Sequence, residues 1–177
     1  MSGKVMMGTM TAGTRADQEA LAYYWMDSPV GRLLLAGDER GLWVIHFAGA
    51  RTRPPEPWRP SEGALREAAR QLDAWFGREL KEFDLRVNPV GTDFQLSVWN
   101  ALPSIPYGTT ISYSELARRI GRPAAVRAVG AANGANPLPL VLPCHRVIGA
   151  DGSLTGYGGG LPTKARLLAM ERGDLLF

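Results

Sequence analysis

Cys144 and His145 stand side by side in Leu142-Pro143-Cys144-His145-Arg146-Val147-Ile148-Gly149. Cys144 is the chain's single cysteine, and His145 is one of its two histidines. A thiol next to an imidazole can form a nucleophile with its base. A free thiol ionises near pH 8.5 and needs help to become thiolate at neutral pH. The same pair also suits a small buried hydrophobe beside an unrelated imidazole. Neighbouring side chains of an extended strand point to opposite sides, so a direct bond between these two would strain the backbone. A bridging water or a tight turn set by Pro143 fits better. A base also needs a group to orient its second nitrogen, and the last helical stretch, residues 162–173, offers Glu171.

The glycine-rich run that follows, residues 149–160, is not a phosphate-binding loop, because no Gly-Lys-Ser/Thr completes it. Gly156, Gly158, Gly159 and Gly160 would let backbone N–H groups converge on a small planar ligand. Tyr157 supplies a ring to stack or a hydroxyl to bond. A flexible hinge has the same composition.

The elements that must position these residues fall into two groups. Residues 22–48 hold two β-rich runs with turn signals at Ser28-Pro29, Gly37-Asp38 and Arg40-Gly41. His46 lies on the second face of the later run and is expected to be structural or solvent-facing. A Pro- and Arg-rich loop leads to a helix with Leu65, Ala68 or Ala69, Leu72 and Trp75-Phe76 at helical spacing, and Gly77 fits its end. From Gly91 onward, Thr92 with Gln95 predicts a capping box and a helix carrying Phe94, Val98, Trp99 and Leu102. Ser112 with Glu115 predicts a second box opening a short helix that ends at Gly121. A third helix, with Pro123 in its first turn, runs to about Asn133. The last two make a helix-turn-helix outline. The third helix is nearly bare: Ala124, Ala125, Ala128, Gly130, Ala131 and Ala132 surround one long side chain, Arg127. So bare a helix could press on a neighbouring helix or on a nucleic-acid groove.

Charge separates the halves. Residues 1–90 balance 12 Lys+Arg against 12 Asp+Glu, and residues 91–177 hold 8 against 5. Within 111–150 the basic residues are Arg118, Arg119, Arg122, Arg127 and Arg146, against Glu115 alone. Arginine without lysine suits phosphate or base-edge contacts, and equally a solvated helix face. One cysteine excludes an internal disulfide and a cysteine-rich zinc site. A lone reduced thiol points to a reducing compartment, the cytoplasm or the nucleus, and a cytoplasmic protein is expected. No apolar run approaches the ~18 residues of a membrane span, and residues 1–20 read as a flexible tail without a signal-peptide core.

Together these motifs resemble the O6-alkylguanine-DNA alkyltransferase family, the methylated-DNA–protein-cysteine methyltransferases. Residues 137–149 with Asn136 are similar to that family's active-site stretch, residues 108–137 to its helix-turn-helix, and residues 156–173 to its substrate loop and last helix. The resemblance is close over 91–173 and looser over 22–90. It implies an α+β fold: a small ribonuclease H-like sheet-and-helix domain at 21–90, then a helical DNA-binding and active-site domain at 91–177. It implies irreversible, single-turnover alkyl transfer from O6-alkylguanine, and O4-alkylthymine, in double-stranded DNA to Cys144. No cofactor, metal or membrane is implied, and a monomer is expected, with association along DNA left open.

By the same resemblance, His145 takes the thiol proton through a water, Glu171 orients the imidazole and Asn136 holds the turn before the active site. Tyr113 crowds the 3′ phosphate and stabilises the departing guanine. The carbonyls of Cys144 and Val147 accept from the guanine amino group, and Tyr157 and the N–H of Gly158 line the pocket. Arg127 fills the gap left by the flipped nucleotide, while Tyr113, Ser114, Ala125 and Ala128 meet the minor groove. Gly158 replaces a serine of some relatives. Asn133 stands where some relatives are apolar, with a groove contact left open. A cysteine hydrolase and a non-repairing sensor of alkylated DNA are the alternatives; sensors of that kind lack the cysteine.

Overall fold

The computed structural model describes residues 6–7, 18 and 20–174, so most of the expected N-terminal tail lies outside the described residues. The chain divides into two compact units, 1–90 and 91–177, each with its own buried core.

The first unit is a six-stranded sheet with one helix. Its strands are β1 (Met6–Met7), β2 (Ala22–Met26), β3 (Leu33–Asp38), β4 (Gly41–Phe47), β5 (Arg59–Pro60) and β6 (Arg86–Val87), in the order β1-β6-β4-β3-β2-β5. β2, β3 and β4 form an antiparallel meander. The sequence suggested two runs where there are three strands, because the chain reverses both at Ser28–Gly31 and at Glu39-Arg40, whereas Gly37-Asp38 does not turn it. These residues stay in β3, and a bulge at Ala36/Gly37 absorbs the irregularity. A Cβ at Gly37 would run into the Gly41 carbonyl, which explains the glycine. His46 is exposed, as expected.

Helix α1 (Glu62–Phe76) buries Leu65, Ala68, Leu72, Trp75 and Phe76 on one face, with each large side chain contributing roughly 1.5–3 kcal/mol. Gly77 does not reverse the chain after it. Gly77 keeps φ −73, and the left-handed turn falls on Arg78 at φ 63.

The second unit contains α2 (Asp93–Ala101), β7 (Ile111–Ser112), α3 (Tyr113–Arg119), α4 (Val126–Gly134), β8 (Val147–Ile148) and α5 (Leu161–Arg172). Thr92 and Gln95 form the expected capping box at α2, with both reciprocal bonds present. At α3 only half of the second box forms. Ser112 Oγ accepts from the Glu115 N–H at 3.1 Å, but the Glu115 carboxylate turns to Arg118 and Arg119. Two nearby cations outbid one backbone N–H for that carboxylate. Helix α4 starts at Val126, later than its sequence suggests. Residues 122–125 make a separate turn closed by Ala125 N–H to Arg122 O at 2.9 Å, and Pro123 sits there, outside the helix.

Strands β7 and β8 pair in parallel, Ile111 with Val147 and Ser112 with Ile148. This short ladder fixes the start of α3 beside the chain that leaves Cys144. Trp99 Nε1–H donates to Ala132 O at 2.8 Å and ties α2 to α4.

Candidate active site

The site is built on a sharp, buried turn. Leu140 is fully buried with φ 77, a left-handed conformation that costs a non-glycine residue about 1–3 kcal/mol. Asn136 clasps the turn: its Nδ2 donates to Leu142 O at 2.7 Å, and its Oδ1 accepts from the Leu138 N–H at 3.0 Å. Cys144–Arg146 then form a single 3₁₀ turn after Pro143. Adjacent residues thereby avoid the opposed directions of a strand, and the Asn136 amide near the Cys144 thiol favours its thiolate.

Behind the turn lies a buried ionic cluster. His145 is fully buried and donates Nε2–H to Glu171 Oε1 at 2.9 Å. Arg146 clamps the same carboxylate, with Nη2 to Oε1 at 2.7 Å and Nε to Oε2 at 3.0 Å, and its Nη1 donates to Ile105 O at 2.7 Å. Gly108 N–H reaches Oε2 at 3.1 Å. Removing either charge would strand the other in the interior, which typically costs about 3–5 kcal/mol. Arg146 is therefore not among the phosphate-contacting arginines that the basic stretch suggested. It is 6% exposed and fully engaged.

Lys164 is a second buried cation that the sequence did not single out. Its ammonium donates to Val147 O at 2.6 Å and to Thr155 O at 2.8 Å. The available signal was its position seven residues before Glu171, on the same face of α5. Tyr113 also donates its hydroxyl to Thr155 O, at 3.1 Å. The glycine-rich run is thus pinned from α3 and α5 at one carbonyl, which is poor support for a free hinge. Tyr157 packs edge-on to His145 with ring centres 6.4 Å apart. Gly158 is exposed, with open space where a Cβ would lie, so no packing demands glycine there.

On α4, Val129, Ala132 and Asn133 face inward while Arg127, Ala128 and Ala131 face out, so the bare helix serves both an internal contact and a surface. Gly130 faces the Tyr113 ring, and a Cβ there would meet it at 3.8 Å, an ordinary contact, so the approach of α4 does not demand glycine. Arg127 is exposed and makes no ion pair or hydrogen bond among the described residues. Ala125 is half-buried beside it, and Ser114 bonds Ser112 through their hydroxyls at 2.8 Å. Asn133 does not reach a groove: it is 1% exposed and donates Nδ2–H to Cys144 O at 3.2 Å.

Burial pushes the Cys144 thiol up to about 11, a rise that the Asn136 hydrogen bond and the Lys164 charge only partly offset. Burial likewise lowers the His145 imidazole below the usual histidine range, although Glu171 pulls the other way. Burial alone would raise Glu171, yet hydrogen bonds from His145 and Arg146 hold it at about 2. The resting pair is therefore neutral thiol and neutral imidazole.

Stability should fall at both pH extremes. Glu171 stabilises the fold above pH 4.5, and that contribution is lost as pH falls towards 2; protonation of His145 below the usual histidine range adds to the loss. The thiol's contribution is complete below pH 9 and disappears between about 9 and 11, on the order of 2–3 kcal/mol. Tyr157 acts in the same direction at high pH, and Lys164 in the opposite one. Denaturation midpoints measured across pH check this. The alkaline arm should shrink in Cys144→Ser, and an unchanged arm would contradict the assignment.

Residues 93–173 match the family described as "6-O-methylguanine DNA methyltransferase, DNA binding domain", and residues 21–89 match "6-O-methylguanine DNA methyltransferase, ribonuclease-like domain". A protein of Methanosarcina acetivorans named methylated-DNA–protein-cysteine methyltransferase is 52% identical over 151 residues, covering 84% of this chain and 97% of that one. A protein of the same name from Mycobacterium leprae is 49% identical over 152 residues, covering 85% and 92%. The crystal structure of Mycobacterium tuberculosis OGT in complex with DNA aligns with a TM-score of 0.82 at 48% identity, over 88% of this chain and 95% of that one. The α+β class expected from the sequence agrees with these neighbours.

Proposed function

Because the chain belongs to the 6-O-methylguanine DNA methyltransferase family, we propose that it repairs DNA by direct reversal, moving the alkyl group of an O6-alkylguanine onto Cys144. The observation that carries this is the buried pair Cys144 and His145 on one turn, with His145 held by Glu171 from α5, in the same unit as a helix-turn-helix with an exposed, unpaired arginine.

The thiol near 11 means roughly one molecule in 10⁴ is thiolate at pH 7. The sulfur is thus kept unreactive until a substrate closes the site. His145 Nε2 is committed to Glu171, so Nδ1 takes the thiol proton, through a water. The thiolate then attacks the alkyl carbon: the Sγ–C bond forms, the C–O6 bond breaks and its electrons leave with guanine, which takes up, through water, the proton that His145 removed from the thiol. Glu171 keeps its negative charge beside the new imidazolium, and Arg146 holds that carboxylate ionised and oriented. Lys164 adds a positive field that favours thiolate. Tyr113 exchanges its bond to Thr155 for the flipped nucleotide. No group at the site can hydrolyse a thioether, so each molecule reacts once. Asn136 holds the turn, Val147, Tyr157 and Gly158 line the base pocket, and Arg127, Ser114, Ala125 and Ala128 face the minor groove.

Intact mass tests this. Mixed with excess duplex containing O6-methylguanine, the protein should gain one methyl group per molecule and no more, while the DNA returns to guanine. Turnover beyond one equivalent, or unmodified protein, would overturn the proposal.

A further inference from the structure

We propose that Asn133 reads the exocyclic amino group of the flipped base, making it a specificity-determining residue for 2-aminopurines over bases that lack that group; this rests on the alkyl-transfer function above. Asn133 is 1% exposed and lies against the nucleophile's own backbone. Its Nδ2 donates to Cys144 O at 3.2 Å, while its Oδ1 is buried with no hydrogen-bond partner among the described residues. Turning the amide over would set two acceptors against each other, so the orientation is fixed by its neighbour. A buried acceptor without a donor is uncommon in folded proteins and calls for an explanation.

Cys144 O and Val147 O already receive buried donors, Asn133 Nδ2–H and the Lys164 ammonium. Each carbonyl keeps a second lone pair for an incoming N–H. Both heteroatoms of one carboxamide share a carbon, so Asn133 Oδ1 sits close to Cys144 O. An amino group that brings one hydrogen to Cys144 O presents its second towards Oδ1. A 2-amino group has two hydrogens, one for Cys144 O and one for Asn133 Oδ1, and Val147 O keeps the Lys164 ammonium as its donor. A pyrimidine, or a purine without that group, leaves Oδ1 unpaired in a closed site. Sites built around a buried polar group reject analogues that lack its partner far more strongly than apolar pockets do. Helix α4 thus carries Arg127 outward and Asn133 inward, so the element placed on DNA also touches the sulfur's backbone.

The test is a competition in one tube. Limiting protein meets equal amounts of two duplexes that differ only in carrying O6-methylguanine or O6-methylhypoxanthine, and the fraction of each that is demethylated is counted. Because both compete for the same molecules, the ratio does not depend on how much of a variant folds. The parent protein should favour methylguanine by about tenfold or more. In Asn133→Leu and in the smaller Asn133→Ala the preference should narrow at least about fivefold, chiefly through a slower reaction with methylguanine. An unchanged ratio in either variant overturns the proposal. So does loss of both reactions, or of the fold, in both variants, since Asn133 would then only hold the backbone. A parent protein that takes methyl from neither duplex overturns the alkyl-transfer function itself, whereas a reactive parent with an unchanged variant ratio overturns this inference alone.

Discussion

Cys144→Ser should fold, bind DNA and leave O6-methylguanine untouched. The substitution is nearly isosteric at a site 4% exposed, and Asn136 already points a donor at the side-chain atom. The new hydroxyl therefore keeps a partner, and stability should change by about 1 kcal/mol or less. Chemistry is another matter. An alcohol is a far weaker acid than even this raised thiol, and the neutral His145 cannot draw its proton off. Displacement at an alkyl carbon also relies on the polarisable sulfur. Transfer should fall on the order of 10⁴-fold or more, as when a lone nucleophile is removed elsewhere. The checks are intact mass, unchanged after long incubation, and a gel-shift affinity within about threefold of the parent. A methyl group on the serine variant would place the acceptor at another side chain.

Arg127→Ala should separate opening the duplex from the chemistry. Its side chain is exposed and unpaired, so its loss should leave the melting temperature nearly unchanged, in line with surface substitutions of about ±0.5 kcal/mol. On duplex DNA the effect should be large. Rotating a nucleotide out of the stack costs a few kcal/mol, and a side chain in the vacated space offsets part of that. Losing about 2–3 kcal/mol of that offset slows repair roughly 30- to 150-fold. Free O6-benzylguanine has no stack to leave, so its reaction with Cys144 should stay within about twofold. Equal losses on both substrates would deny Arg127 the role of filling the gap.

Some elements were legible because their signals are local. The capping box at Thr92 and Gln95 involves residues three apart, and no distant contact is needed to satisfy it. The stripe of Leu65, Ala68, Leu72 and Trp75 likewise states its helix and its buried face at once. Glu171 could be named as the partner of His145 because the last helix offered a single suitable acid. Local signals failed where two partners compete for one group. Glu115 abandons its box for Arg118 and Arg119.

By itself the sequence determined the single cysteine with a histidine beside it, the likeness to a repair family, the helix-turn-helix outline and the bare helix that carries Arg127. Those are matters of residue type, order and short spacing. Only the tertiary structure decided which cations are buried. Arg127 and Arg146 carry the same charge in the same basic stretch, yet one stands in solvent and the other is closed around Glu171, 25 residues away. Lys164 and Asn133 became part of the site in the same way. Each side chain found its partner in a backbone carbonyl, and any residue presents one of those. Burial and main-chain acceptors depend on which distant segments cover a residue, and residue type carries no record of that.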